Sequence, residues 1–190
     1  MTEQGLLIVL SAPSGCGKST LVRRLLELRP GLRFSVSATT RAPRVGETDG
    51  VDYYFIEKDR FQRMIENDEF LEYARYVDNS YGTPRAPVER ETAEGNDVLL
   101  DIETNGALQV MERCPEAVTV FLLPPSFEEL KRRLTTRGKD RPEVIARRLE
   151  EAKRECRLSD RYAYNIVNDD VERAALEFAA IIDKEREKRR

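Results

Sequence analysis

The sequence predicts an α/β fold in which helices cover both faces of a parallel sheet. Four apolar segments rich in β-branched or aliphatic residues are predicted strands, at 5–11, 97–103, 117–123 and 162–168. Helical periodicity is found near 17–29, 104–113, 126–137 and 170–187. Strands that are apolar throughout and alternate with helices are typical of a parallel sheet that is buried on both sides.

A Gly-rich loop follows the first predicted strand. Residues 12–20 read APSGCGKST, and a helical pattern begins directly after them. Glycines at 15 and 17 let the backbone curl around an anion, and the N-terminus of the next helix adds its positive dipole end. In such a loop Lys18 reaches the β- and γ-phosphates and the Ser19 hydroxyl ligates Mg²⁺. The sequence therefore predicts a P-loop NTPase-type core with an ATP-binding loop made of Ala12, Pro13, Ser14, Gly15, Cys16, Gly17, Lys18 and Ser19.

Composition narrows the chemistry. The chain has 190 residues, enough for one domain, and no histidine, which excludes His-based acid–base catalysis and His metal sites. A net charge of −3 predicts no general attraction to nucleic acid. No apolar stretch approaches the roughly 20 residues of a membrane span, and no basic leader precedes the first strand. With three cysteines that lack metal-site spacing, we expect a reduced, cytoplasmic protein.

Two stretches interrupt the alternation of strands and helices. Residues 34–83 contain short alternating segments and predict a small, partly antiparallel insert. Residues 137–160 predict a charged helix with Ile145, Leu149, Ala152 and Cys156 on one face. Capping boxes are predicted at Ser126 with Glu129 and at Asp140 with Glu143. We therefore expect one domain, 1–190, divided into a core (1–33, 84–125 and 161–190), an insert that binds a second nucleotide (34–83) and a helical lid (126–160).

Three single features carry alternative interpretations. Asp101, at the end of a predicted strand, could hold Mg²⁺ or cap the turn at 104–106. Arg41 and Arg44, among hydroxyl side chains, could bind phosphate or belong to a solvated loop. Cys16 lies at a helix N-terminus, which should depress its thiol pKa. It could be a small filler, or a reactive thiol whose alkylation blocks ATP binding.

Several segments together resemble one family. TTRAPRVGETDGVDYYF, FLEYARYVDNSYGT, LLDIETNGA, RGKDRPEVIARRL and NIVNDD follow the loop in this order. They closely resemble guanylate kinase over nearly the whole chain, and the TTR-x-PR-x-GE block is the most specific part. The resemblance implies transfer of the γ-phosphoryl group of ATP to GMP or dGMP, with Mg²⁺, giving ADP and GDP or dGDP.

The resemblance also implies roles for individual residues. The GMP phosphate would contact Arg41, Arg44, Tyr53 and Tyr81. The guanine would contact Ser37, Glu72, Thr83 and Glu103. Arg137 and Arg148 would act from the lid, with Lys18 and Arg41 completing the catalytic cations, and Asn168 would lie near the adenine. Ser19 and Asp101 would serve the metal ion.

The residue chemistry agrees with these roles. One ionised carboxylate such as Glu72 can accept hydrogen bonds from both N1–H and the exocyclic amine of guanine, whereas adenine presents an acceptor at N1. The Ser37 and Thr83 hydroxyls could donate to guanine O6. A phosphate acceptor with a second pKa of about 6 needs no histidine base. Two alternatives remain: a P-loop kinase for another acceptor, such as a ribosyl bisphosphate, and a scaffold-type module that binds proteins.

Overall fold

The computed structural model describes residues 4–76, 78–136 and 141–189, which form nine strands and seven helices. The strands are β1 (Leu7–Ser11), β2 (Arg33–Phe34), β3 (Ala38–Thr39), β4 (Tyr54–Phe55), β5 (Phe70–Tyr76), β6 (Asn79–Pro84), β7 (Val98–Asp101), β8 (Val118–Leu123) and β9 (Tyr164–Val167). The helices are α1 (Lys18–Leu28), α2 (Lys58–Glu66), α3 (Arg85–Ala93), α4 (Thr104–Arg113), α5 (Phe127–Thr136), α6 (Pro142–Cys156) and α7 (Val171–Lys188). A 3₁₀ turn at Ser159–Arg161 precedes β9.

The larger sheet has the strand order β2-β7-β1-β8-β9. β2 runs parallel to β7, and β8 runs parallel to β9. Every residue of β1 is buried, as are the first five of β8, which is the burial expected of strands covered on both faces. The structure confirms the predicted α/β class, and each of the four predicted strands is present but shorter than predicted.

The smaller sheet has the order β4-β3-β6-β5. β6 is antiparallel to both β3 and β5, whereas β3 and β4 are parallel. This confirms the partly antiparallel character predicted for 34–83. The pairing of β5 with β6 shifts register between Phe70 and Glu72, so Leu71 is an extra residue in β5.

The extra residue determines which side chains share a face. In a regular strand Phe70 and Glu72, two positions apart, would point the same way. Here the Phe70 ring lies 6.3 Å from the ring of Tyr73 and packs into a buried cluster with Phe61. Glu72 instead lines a pocket together with Ala74. The bulge therefore sends an apolar ring and a carboxylate to opposite faces.

The chain divides into two compact units. The first contains the described residues up to Val9 together with Leu32–Ala117, and the second contains Leu10–Gly31 together with the described residues from Val118 onward. The predicted division into core, insert and lid is a different partition and stays a prediction. Among the helices of the described residues, none combines the length and apolar character needed to cross a membrane.

In the second unit, α1 packs against α7 and α5 packs against α6. Leu130, Leu134 and Ala152 form a buried cluster against which Ile145 and Leu149 pack. This confirms the apolar face predicted for the charged helix at Ile145, Leu149 and Ala152, whereas Cys156, the fourth residue of that face, is partly exposed and not in the cluster. The Ser126 hydroxyl accepts the backbone N–H of Glu129 at the start of α5, as the first predicted capping box requires. The second predicted box depends on Asp140, which lies outside the described residues.

A strained turn leads into β5. Asp68 has φ of 53°, the only positive φ at a non-glycine residue in the described part of the chain. Its carboxylate pairs with Arg85 of α3 at 3.0 Å and with Arg113 of α4 at 2.8 Å. Both arginines also donate to the Phe70 carbonyl. These contacts hold the turn in a backbone conformation that costs about 1–2 kcal/mol for most side chains.

We predict that Asp68→Gly is more stable than Asp68→Ala by about 1 kcal/mol, because both lose the carboxylate and only glycine adopts this φ without strain. Urea denaturation of the two variants measures the difference. The same pair of substitutions at Asp59, inside α2, should give the opposite order, because alanine is favoured in a helix. Equal stabilities of Asp68→Gly and Asp68→Ala would show that the positive φ carries no cost.

Candidate active site

The loop between β1 and α1 has the backbone of a phosphate cradle. Gly15 and Gly17 have φ of 87° and 90°. A Cβ added at Gly17 would lie 2.7 Å from Nδ2 of Asn168, so there is no room for a side chain there. α1 begins at Lys18 without a side-chain cap. The N-terminus of this eleven-residue helix therefore directs its positive dipole end toward the loop, which is the arrangement of an anion-binding helix N-terminus.

Side chains from the second unit fix this loop. Nδ2 of Asn168 donates to the Cys16 carbonyl at 2.7 Å, and Nη2 of Arg133 donates to the Asn168 carbonyl at 3.0 Å. Nη2 of Arg148 donates to the Ser14 hydroxyl at 2.7 Å. A cavity of about 380 Å³, here called the loop cavity, adjoins the loop and is lined by Gly15, Gly17, Thr20, Arg132, Arg133, Thr136, Asn168, Asp169 and Val171.

A second cavity lies in the first unit and is here called the Glu72 pocket. Its volume is about 300 Å³, and it is lined by Ser37, Tyr53, Glu72, Ala74, Tyr81, Asp101, Ile102, Glu103 and Gly106. The residues just before β3 and β4, together with β5, β6 and the segment from β7 into α4, thus contribute to one pocket. Its walls carry three carboxylates and three hydroxyls, so the pocket suits a ligand rich in hydrogen-bond donors.

Glu72 is the most enclosed ionisable group of this pocket. Its side chain belongs to a residue that is only 6% exposed. Oγ1 of Thr83 donates to one carboxylate oxygen at 2.6 Å. On the other side, a Cβ added at Gly106 would lie 2.4 Å from Oε2. The carboxylate is therefore held between β6 and the first turn of α4, where the helix dipole favours a negative charge.

The pKa of Glu72 is raised above its ordinary value because burial removes water from the carboxylate. Hydrogen bonds from the Thr83 side chain and backbone lower the pKa and oppose this effect, while the charge of Glu103 adds to the rise. A donor that enters the pocket would relieve the desolvation of the charged form. The carboxylate thus gains most from a ligand with hydrogen-bond donors.

Arg41 lies beside the pocket in a fixed orientation. Its Nη1 and Nη2 atoms donate to the two carboxylate oxygens of Glu47 at 2.9 and 2.8 Å. Glu47 also accepts the backbone N–H of Arg44 at 2.7 Å. The guanidinium carbon lies 5.4 Å from the ring centroid of Tyr53. Hydrogen bonding to Glu47, reinforced by Tyr81, raises the pKa of Arg41, so this cation stays charged.

Comparison with known proteins gives the family. A family model described as guanylate kinase matches residues 4–185. The chain belongs to the guanylate kinase family. It is 54% identical to a guanylate kinase of Thermus thermophilus, covering 96% of this chain and 83% of that protein. It is also 54% identical to the guanylate kinase of Lactococcus lactis, covering 97% of this chain and 90% of that protein.

The fold agrees with a solved member of the family. The crystal structure of guanylate kinase from Anaplasma phagocytophilum is 38% identical and superposes with a TM-score of 0.77. The match covers 97% of this chain and 87% of that one. The resemblance identified from the sequence is thereby confirmed.

In this guanylate kinase family member, most acceptor-side residues expected from the sequence meet in the Glu72 pocket. Ser37, Tyr53, Tyr81 and Glu103 line it. Thr83 adjoins the pocket through Glu72, but its hydroxyl hydrogen is directed to that carboxylate. A hydroxyl has one hydrogen to donate, and in this structure the hydrogen of Thr83 is used on Glu72. The donations to guanine O6 expected of Ser37 and Thr83 stay predictions.

Three other predicted site residues in the part of the chain that the structure describes do not line the Glu72 pocket. The Arg44 side chain is exposed and is not among the residues that line the Glu72 pocket. Arg148 and Asn168 contact the phosphate loop. Arg137 lies outside the described residues.

The low thiol pKa predicted for Cys16 is wrong. Its side chain is fully buried, and Sγ donates to the Leu122 carbonyl at 3.4 Å. Burial raises the pKa of the thiol to about 12, although Arg133 and Lys18 act in the opposite direction. Desolvation outweighs the helix N-terminus, because the thiolate would sit in the packed layer beneath the loop. Cys16 is a buried filler, not a reactive thiol.

The sequence predicts a metal site from Ser19 and Asp101. Within residues 4–76, 78–136 and 141–189, no three His, Cys, Asp or Glu side chains cluster as a metal cage. Mg²⁺ commonly takes only one or two protein oxygens and completes its shell with phosphates and water, so a hydroxyl and a carboxylate are ligand types that it accepts. Ser19 belongs to the second unit and Asp101 to the first, and the site that they would form stays a prediction. The N-cap of α4 is Glu103 and not Asp101, which argues against the alternative capping role.

Three functional candidates escaped the sequence analysis. Glu47 stands six residues after Arg41, within the TTRAPRVGE segment, but the sequence analysis assigned roles only to the arginines of that segment. Arg133 also pairs with Glu129 at helical spacing and so looked like an ordinary surface ion pair. Gly106 contributes only its missing side chain, which no sequence pattern ties to Glu72.

We predict that Cys16 resists alkylation in the folded protein. At pH 8 a thiol of pKa about 12 is ionised in only about one molecule in ten thousand, and it is also shielded. Iodoacetamide labelling followed by peptide mass spectrometry should modify the partly exposed Cys114 and Cys156 at least about tenfold faster. In urea all three should react alike. Equal labelling of Cys16 and Cys156 in the folded state would contradict its burial.

Proposed function

We propose that the protein is a guanylate kinase that transfers the γ-phosphoryl group of ATP to GMP and dGMP. The observation that carries the proposal is the buried Glu72 carboxylate, which has one oxygen bound by Thr83 and the other directed at the first turn of α4. Membership of the guanylate kinase family supports the same reaction. The protein would thereby recycle GMP in purine metabolism.

Guanine suits the Glu72 pocket chemically. Its N1–H and exocyclic amine are adjacent donors, and an ionised carboxylate can accept from both. Adenine at the same position would direct the N1 lone pair at the carboxylate. A buried polar site that is left unpaired discriminates by about 10⁴-fold or more. Because burial raises the pKa of Glu72, GMP affinity should fall as the pH drops through a value above the ordinary glutamate range.

The acceptor phosphate would bind beside Tyr53, the pocket residue on which Arg41 stacks. Arg41, Arg44, Tyr53 and Tyr81 offer guanidinium and hydroxyl donors. Glu47 occupies one side of the Arg41 fork, so the phosphate would meet the donors that remain. The attacking oxygen is mostly deprotonated at pH 7, since the second phosphate pKa is about 6, and no side-chain base is required.

The donor nucleotide would bind at the phosphate loop. The backbone of 12–19 and Lys18 would hold the ATP phosphates, and Asn168 would lie by the adenine. Arg148, together with Arg137, would bring positive charge to the triphosphate from the proposed lid at 126–160. Ser19 and Asp101 would hold Mg²⁺, which neutralises phosphate charge when bound.

The remaining proposals concern setting. The three cysteines, all within the described residues, are free thiols, which suits a reducing compartment, and we place the protein in the cytoplasm. Its partners are the small nucleotides. The net charge of −3 offers no general attraction to nucleic acid.

The purified chain should release ADP from ATP·Mg²⁺ with GMP and dGMP, and at least about 10³-fold more slowly with AMP or UMP. A coupled assay of ADP release measures each acceptor. Lys18→Met should abolish turnover and serves as the control against contaminating kinases. Comparable turnover of AMP would indicate a kinase for another acceptor. Absence of turnover with any acceptor would favour a protein-binding module.

We also predict that Glu47→Gln lowers kcat/KM for GMP about tenfold, because Arg41 loses the charged partner that fixes its orientation. Glu57→Gln is the matched control, since Glu57 is exposed and its side chain does not cap α2. An unchanged kcat/KM would show that Glu47 does not orient Arg41 for catalysis, and a higher value would mean that Glu47 competes with the phosphate for Arg41.

A further inference from the structure

The side-chain amide of Gln109 in α4 forms two hydrogen bonds with β5, the strand that carries Glu72. Its Oε1 atom accepts the backbone N–H of Tyr73 at 3.2 Å, and its Nε2 atom donates to the Tyr73 carbonyl at 2.9 Å. β5 is the last strand in the order β4-β3-β6-β5, so its outer edge has no neighbouring strand within that sheet as the described residues form it. The amide of Gln109 thus pairs with a backbone segment as another strand would.

Tyr73 is next to Glu72 in the sequence and lies two positions after the extra residue Leu71. On its inner side Glu72 is held by Thr83 at 2.6 Å. At a bulge the regular ladder is interrupted, and the local backbone has fewer hydrogen bonds to fix it. The second attachment, from Gln109 on the outer side, compensates at the place where the carboxylate must be aimed.

Gly106 lies on the same face of α4, one turn before Gln109. A Cβ at Gly106 would come within 2.4 Å of Oε2 and 3.0 Å of the carboxyl carbon of Glu72. The space between helix and strand is therefore just sufficient for the bare carboxylate. One face of α4 both holds β5 through Gln109 and leaves a gap for Glu72 at Gly106.

We infer that Gln109 is a positioning residue for guanine recognition: it sets the separation of β5 from α4, and so places the Glu72 carboxylate for two hydrogen bonds to the base. The inference rests on the proposed function. It assigns Gln109 no contact with substrate. Its effect should therefore appear in the selectivity for the base and not in the use of ATP.

The test compares GMP with inosine monophosphate, which lacks the exocyclic amine. Only a correctly aimed carboxylate gains the second hydrogen bond, so the ratio of kcat/KM for the two acceptors reports its position. Gln109→Leu should lower this ratio about tenfold, the value of roughly one charge-assisted hydrogen bond, and raise KM for GMP. KM for ATP should stay unchanged. Gln62→Leu is the matched control, since Gln62 is an exposed α2 glutamine whose amide donates to Glu66 of the same helix.

If Gln109→Leu lowers activity with both acceptors equally, Gln109 merely stabilises the fold and the inference is overturned. If that variant does not fold, as judged by its thermal transition, Gln109→Glu takes its place: it keeps an acceptor for the Tyr73 N–H but loses the donor to the Tyr73 carbonyl, and it should lower the same ratio. An unchanged ratio in Gln109→Glu would overturn the inference as well. A wild-type chain that is inert toward GMP would instead refute the proposed function, so the two failures are distinguishable.

Discussion

The hydrogen bond from Thr83 to the buried Glu72 carboxylate is the interaction on which the first unit depends. A carboxylate taken out of water is tolerated only where donors meet it, and a single removed partner leaves a buried charge uncompensated. β6 supplies the donor, α4 supplies a favourable dipole and a glycine, and β5 supplies the carboxylate itself. Three elements must therefore be correctly placed before the pocket can show the proposed selectivity.

The second unit solves the opposite electrostatic problem. If its loop binds ATP as proposed, the loop must attract anions, and its backbone carbonyls have to be turned away from the ligand. Asn168 and Arg133 both donate to the Cys16 carbonyl, and the Cys16 thiol is directed into the interior. With this carbonyl engaged by donors, the positive end of α1 would face the bound phosphates. The packing that makes Cys16 unreactive is thus part of what shapes the loop.

Much of this could be predicted from the sequence, and the exceptions have physical reasons. β1 and β8 are buried on both faces, and such strands appear as unbroken apolar runs. β2 is two exposed residues long, too short to give a periodic pattern. Lys18 and Glu72 lie in sequence segments that resemble the guanylate kinase family. Gln109 instead contacts the backbone of Tyr73, which is 36 positions away in the sequence. The pKa of the Cys16 thiol is set by its burial, which the spacing of residues along the chain does not reveal.

The irregularity at Leu71 has a wider consequence. After Leu71, β5 pairs regularly with β6. Before it, the side chain of Phe70 points to the opposite face of the sheet from the one that a regular strand would give it. A chain can therefore store a hydrophobic anchor and an ionisable recognition group within three positions without forcing either into the other's surroundings. Inserting or deleting one residue in such a segment would exchange the side chains that face the buried cluster and the pocket in a single step. Evolution could thus alter what a nucleotide pocket presents by an insertion or deletion, without any exchange of side chains.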